Sequence, residues 1–364
     1  MCECLATMVS SPYYFRSLDR HTGSALLRSA WQQLATASSS WEAIYQGPTF
    51  ADFLISCAQA HQRFHLYGAY AAASHERLGL IPLLHTGLAL APPARWRQRE
   101  QLVMLGSSPL LPANTELLDA LHAYLFAEFP RVRALVYRAL PQTHAIWQLL
   151  QRKRTTLAVH LHGWRACHSM QLAASYATLL DQLGGKRRYN LKRQQRQLAA
   201  AAGGALTLEV IRTWDRLALL EQGLALCCPP ARRRQLWDTQ EMLALAQHGL
   251  LMCFRIDAGR HCCGVILGLQ AGRAYHLFNI LPAPAWQKLS AGTSILQLAL
   301  AYLCDQCSGQ YQKVEFGYGQ PGHHYQSSNT VSLRSHVLLL RDTRANRLLR
   351  HGYRARQAVL QALA

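Results

Sequence analysis

The chain has 364 residues, half of them hydrophobic, enough to bury more than one core and too apolar for a disordered chain. Its 38 lysines and arginines against 19 aspartates and glutamates leave a formal charge of +19, which points to a polyanionic partner: coenzyme phosphates, an acidic carrier protein, RNA or a membrane surface. No run approaches the roughly 18 apolar residues that a bilayer span needs, and residues 1–20 lack a basic start followed by an apolar core, so a cytoplasmic protein without a membrane span is expected.

Along the chain, apolar periodicity predicts a helix over 50–60, paired strands over 64–72 and 77–85, an amphipathic helix over 116–128, and a strand over 134–138. A helix over 144–154 and a strand over 157–161 follow. In the second half a strand starts at 168–172, residues 176–201 are helical around a Gly184-Gly185 break, 207–211 is a strand, and 241–248 closes a long helical region. Strands over 251–256, 262–269 and 274–279 form a meander with turns at Asp257-Ala258-Gly259 and Ala271-Gly272. A helix over 290–303 and strands over 313–316 and 332–340 precede a last, basic helix. The predicted class is α/β with α+β mixed sheets, in two halves of loosely parallel order, 1–165 and 166–364.

The eleven cysteines are scattered and odd in number. Cys227-Cys228 and Cys262-Cys263 lie in apolar runs and read as small buried hydrophobes of a reducing compartment. Cys304-Asp305-Gln306-Cys307 has metal-ligand spacing, but it falls on a predicted helix with no second such pair, so no metal site is expected. A G-x-S-x-G elbow, a phosphate-binding P-loop and a dinucleotide fingerprint are all missing, which disfavours nucleophile hydrolases and nucleotide-binding enzymes of those kinds.

The densest chemistry follows the strand at Val314-Glu315-Phe316. Residues Gly317-Tyr318-Gly319-Gln320-Pro321-Gly322-His323-His324-Tyr325 hold three glycines, a proline, two histidines and two tyrosines, the composition of an active-site edge. Upstream, Ile295, Leu296, Ala299, Leu300 and Leu303 recur at helical spacing behind Ser290, so Ala291, Gly292, Thr293 and Ser294 are expected to offer free backbone N–H groups to a phosphate. Between Lys186 and Arg196 stand six cations and no acid. Arg188, Lys192 and Arg196 share one helix face, away from Leu180, Leu191 and Leu198, as a phosphate or carrier-docking surface or as a merely solvated face. The last helix sets Arg344, Arg347, Arg350 and Arg354 against Leu348, Leu349, Val359, Leu360 and Leu363.

The order of meander, glycine turn, helix and strand resembles the GNAT acyltransferase fold. Four segments carry the likeness: Leu80-Ile81-Pro82-Leu83-Leu84; Gly185-Lys186-Arg187-Arg188-Tyr189-Asn190-Leu191-Lys192-Arg193; Ser290-Ala291-Gly292-Thr293-Ser294-Ile295-Leu296; and Glu315-Phe316-Gly317-Tyr318-Gly319 through Tyr325. Within that fold they are similar to the cellulose-biosynthesis-associated (CelD-like) branch allied to the Fem aminoacyltransferases. The resemblance implies two tandem GNAT-like domains, the second holding the acyl donor and the first lacking a donor site. Three positions depart from the family: Glu315 stands for an aspartate, Gln326 for the lysine after the tyrosine that contacts donor or substrate, and Ser290-Ala291-Gly292 for a Ser-Pro-Gly turn.

Acyl transfer from a thioester needs donors for a pyrophosphate, a splayed strand pair for the pantetheine, and an acid or base near the carbonyl. The turn at Ala291 to Ser294 meets the first need. Asn279 binds the acyl carbonyl or acceptor, or else caps its strand. His323 and His324 are the candidate general bases, only one of which can point inward, unless both are surface or core residues. Tyr325 and Tyr318 protonate the leaving thiolate or hold the acceptor, or pack against the neighbouring domain. Glu315 is a base or a cation-binding group if it faces the cleft, and a solvated strand residue otherwise. The implied reaction is direct attack of a small amine or amino acid on acyl-CoA or an acidic acyl carrier protein, with no permanently bound cofactor. Two other readings stand beside it. One is a Fem-like transferase using aminoacyl-tRNA, against which no heptad run long enough for a coiled-coil arm is found. The other is a non-catalytic RNA-binding or interaction protein, although only Tyr189 interleaves the Lys186 to Arg196 cations.

Overall fold

The computed structural model describes residues 11–38, 44–58, 61–87, 100–152, 156–318, 329–341, 343–344, 346–348 and 350–352, with backbone only over 151–162. The elements run β1 (Tyr13–Ser17), α1 (Ala25–Ala37), α2 (Pro48–Ser56), β2 (Arg63–Ala71), β3 (Arg77–Gly87), β4 (Glu100–Met104), α3 (Thr115–Glu128), β5 (Val132–Pro141) and α4 (Ile146–Arg152). Then come β6 (Thr156–Gln171), α5 (Tyr176–Asp181), α6 (Gly185–Ala201), β7 (Leu206–Ile211), α7 (Leu217–Cys227), α8 (Thr239–Gln247), β8 (Cys253–Ala258), β9 (His261–Ala271), β10 (Ala274–Pro282), α9 (Ala291–Ala301), β11 (Lys313–Tyr318) and β12 (Thr330–Arg341). No helix among the described residues is long and apolar enough to cross a membrane.

Two compact units result, one of Met1–Ser38, Ala58–Trp164 and Arg334–Ala364, the other of Ser39–Cys57 and Arg165–Leu333. Chain order alone puts 39–57 with the first half and 334–364 with the second; the fold exchanges them. In the first unit the strand order is β1-β2-β3-β4-β5-β12, antiparallel except for the parallel pair β4 and β5, which α3 connects. Leu83, Leu102, Leu121, Tyr137 and Leu339 fill its core.

Both ends of α3 are satisfied within the fold. The Asn114 side chain accepts from the Glu116 and Leu117 amides at 2.8 and 3.2 Å, and Glu116 puts an acid in the first turn. At the other end the Arg341 guanidinium donates to the Phe126, Phe129 and Val132 carbonyls and lies 4.9 Å over the Phe126 ring. In mid-helix, buried His122 shares a 2.7 Å hydrogen bond with the Tyr137 hydroxyl, and burial lowers its pKa from 6.5 to about 4. The folded state therefore keeps it neutral where the unfolded chain takes up a proton. Its contribution is whole above pH ~6.5 and drains away as pH falls toward ~4, by about 3 kcal/mol in all. Urea titrations should show a midpoint falling over that interval, and a flatter dependence in His122→Gln.

The second unit has the order β6-β11-β10-β9-β8-β7, again antiparallel but for one parallel pair, β10 and β11, connected by α9. Its hairpin turns fall one residue later than expected, at Gly259 and Arg260 and at Gly272 and Arg273, each led by a glycine at positive φ (+58° and +54°) that a Cβ would strain. Phe254 and Tyr275 of the sheet pack against Ile295 and Leu300 of α9 and Leu198 of α6. A second core holds Leu220, Leu245 and Leu267 with Phe50 and Phe53 of the exchanged α2. Cys304 and Cys307 are buried in the first of these cores. At the far end of the chain Leu348, expected on an apolar helix face, is instead 74% exposed.

Candidate functional site

The parallel strands β10 and β11 stay paired for three residues only, Ala274 with Lys313, Tyr275 with Val314 and His276 with Glu315. Beyond that both leave register. In β10 the ladder to β9 slips between Leu277 and Asn279, with Phe278 as the extra residue; in β11 the ladder to β6 slips between Glu315 and Tyr318, around Gly317 at φ +85°. Two strands that part in mid-sheet leave backbone groups available to an extended ligand. The slip in β10 also resets its alternation. His276 faces Leu269 and Asn279 faces Leu267, so both side chains fall on one face of the sheet although they are an odd number of positions apart.

Glu315 stands on that face. It is only 4% exposed, and its carboxylate forms an ion pair with Lys313 two residues earlier. Across the parallel register lies His276, also buried, with the Tyr45 ring edge-on at 5.7 Å. Sequence reasoning named Glu315 and Asn279 but missed His276, Lys313 and Tyr45. Only the strand register, which periodicity does not supply, joins His276 to Glu315. Tyr318 is half-buried opposite Cys167 of β6. His323, His324, Tyr325 and Gln326, like Arg354, lie outside the described residues.

At the open end of the split, β10 runs through a 3₁₀ turn (Pro284–Leu289) into α9. Ser290, the residue before α9, takes a left-handed conformation (φ 57°, ψ 34°), which costs a non-glycine residue roughly 1–2 kcal/mol. Its carbonyl accepts from the Thr293 and Ser294 amides at 3.0 and 3.1 Å, so these two of the four expected donors are engaged inside the helix. The amides of Ala291 and Gly292 have no acceptor among the described residues, no side chain caps the helix, and its first turn holds no acid. The Ser294 hydroxyl is buried and likewise has no partner among them. A Cβ on Gly292 would lie 3.7 Å from Pro282 and 3.8 Å from Ile280, so the end of β10 flanks this turn.

The basic helix α6 packs against α9 and against the 3₁₀ turn. Arg188 is held by Asp181 at 2.7 Å, while Lys192, Arg193 and Arg196 are exposed. The structure thus sets α6 and the start of α9 on one face of the parting strands, and Glu315, His276 and Asn279 on the other.

No curated protein matches the chain. Among solved structures it is similar to FemX (10% identity, TM-score 0.58, 89% of this chain and 98% of that one). It is also similar to a tandem GNAT protein from the clavulanic acid biosynthesis pathway (12%, 0.52, 90% and 98%) and to the L-PGS of Bacillus licheniformis (11%, 0.50, 90% and 94%). At such identities the likeness is one of fold. Over residues 185–327, which hold α6, the strand meander, the α9 turn and β11, the chain matches the acetyltransferase (GNAT) domain family, and its architecture is that of the tandem GNAT proteins.

Proposed function

We propose that the protein is an N-acyltransferase of the CelD-like branch that passes an acyl group from acyl-CoA or an acyl carrier protein to a small amine or amino acid, in the cytoplasm and without a permanently bound cofactor. One observation carries this reading. The two units each place a helix between parallel strands, yet α3 begins with an asparagine cap and an acid, whereas α9 begins with open amides and neither. Only the second start is suited to an anionic donor group. The donor's phosphates then sit at Ala291 and Gly292 and its thioester arm in the split between β10 and β11.

The chemistry is direct displacement. The amine nitrogen attacks the thioester carbonyl, a C–N bond forms, the C–S bond breaks, one proton leaves the nitrogen and one reaches the departing thiolate. Asn279 donates its amide to the acyl or acceptor carbonyl; Glu315, held by Lys313, sets the charge beside it. His323 or His324 takes the proton, and Tyr318 or Tyr325 returns one to sulfur, with Gln326 as a further acceptor contact. Thiol release from a panel of acyl thioesters, with and without amines, tests the proposal. Turnover should rise with pH through a single ionisation in the histidine range. His323→Ala or His324→Ala, but not both, should lower it about a hundredfold at nearly constant donor affinity. Full turnover in both single variants and the double variant would reject histidine as the base.

A second reading, transfer from aminoacyl-tRNA, is favoured by the cations of α6 beside the donor turn and by the FemX-like fold. Consumption of aminoacyl-tRNA with no thiol released from any thioester would select it.

A further inference from the structure

The cations of α6 stand where they do the helix least good. Lys186, Arg187 and Arg188 occupy its first turn, against the positive end of the helix dipole, and no acid stands there with them. Farther along, Arg188, Lys192 and Arg196 repeat at steps of four, a spacing at which like charges repel by about 0.2–0.5 kcal/mol per pair. Asp181 pairs with Arg188, while Lys192, Arg193 and Arg196 are exposed. Leu191 and Leu198 are the helix's fully buried residues, and Lys186 is exposed as well. Charges this unfavourable for the helix itself call for an external partner.

The partner's dimensions follow from the row. Eleven residues at 1.5 Å each span about 15 Å of helix, far more than the single turn that a pyrophosphate occupies at the start of α9. A nucleic acid would also want a stacking platform, and on this face the one exposed aromatic is Tyr189, at 59%. A rigid row of cations with one aromatic suits an acidic protein helix instead. Because α6 packs on α9 and on the 3₁₀ turn, a protein seated there lies beside the parting strands. We propose that α6 is the docking face for an acidic acyl carrier protein, whose phosphopantetheine arm enters between β10 and β11. The inference rests on the acyltransferase reading and resolves its donor.

The test compares an acyl carrier protein with coenzyme A carrying the same acyl chain. Charge reversal in Lys192→Glu/Arg193→Glu/Arg196→Glu should raise KM for the acyl-carrier donor at least thirtyfold, and at least tenfold more than it raises KM for the matched acyl-CoA. Added salt should reproduce the effect in the wild type. Equal effects on both donors would overturn docking in favour of a plain phosphate contact. Binding of a fluorescently labelled, unacylated holo-carrier, read by anisotropy, is independent of turnover. If no thioester is consumed but the holo-carrier binds in the wild type and not in the variant, docking holds and the acyltransferase reading fails. If the holo-carrier does not bind while labelled tRNA does, α6 is a nucleic-acid surface and the proposal falls. Circular dichroism of the variant separates all of these from unfolding.

Discussion

Replacing Gly292 with valine should weaken donor binding about a thousandfold while the protein stays folded. The turn offers two open amides, at Ala291 and Gly292, and hydrogen bonds to a charged group contribute about 1.5–3 kcal/mol each, or some 4 kcal/mol together. A Cβ at position 292 meets Pro282 and Ile280 at ordinary contact distances, so alanine is accommodated; the branched carbons of valine project beyond it, into the approach to the amides. Calorimetric titration of CoA into wild type, Gly292→Ala and Gly292→Val should give a graded series. A folded valine variant that binds CoA with unchanged affinity would remove the donor site from this turn.

The second large effect is on stability. Glu315→Ala should cost about 3–5 kcal/mol, because Lys313 would keep its charge in a poorly solvated place after losing its carboxylate. Glu315→Gln should recover little, since an amide does not neutralise the cation. Lys313→Met with Glu315→Leu should restore most of the loss, as the pair's desolvation then disappears with it. Urea unfolding of the four proteins measures the coupling. Near-additive losses would mean that the ion pair is incidental. The effect also bears on activity: turnover of any Glu315 variant is meaningful only per folded molecule.

The fold was legible where neighbours in sequence are neighbours in space. The β8 to β10 meander shows as alternating apolar runs between glycine turns, and the start of α9 shows as small residues ahead of a helical stripe. Where burial is thin, the pattern fades. In α1 only Leu27, Trp31 and Ala35 are buried and β1 has no buried residue at all, while β4 is buried on both faces at four of its five residues and so shows no alternation; none of the three was expected. β6 reads as two strands because Gly163, at φ +68°, interrupts its run. The exchange of 39–57 and 334–364 was illegible for another reason: an apolar strand advertises that it will be buried, not which sheet will bury it. At the site the same divide holds. Asn279 and Glu315 stand at strand positions that can be read off, but the slip that turns Asn279 toward the His276 face exists only in the pairing.

The anchoring of α3 by Arg341 has a consequence for biosynthesis. Arg341 and its acceptor Val132 are 209 residues apart, and the pairs of β12 with β5, from Arg334 with Pro141 to Leu340 with Ala134, bridge a similar stretch of chain. At a ribosomal pace of about 5–20 residues per second, β5 and the carbonyl end of α3 emerge roughly 10–40 s before the strand that completes them. Through that interval the first unit carries an unpaired edge, the kind that recruits other nascent chains. The second unit has its strands β6 to β11 once β11 is made, and only the first residues of β12, up to Leu333, follow. The half of the protein that leaves the ribosome first is thus the one completed last.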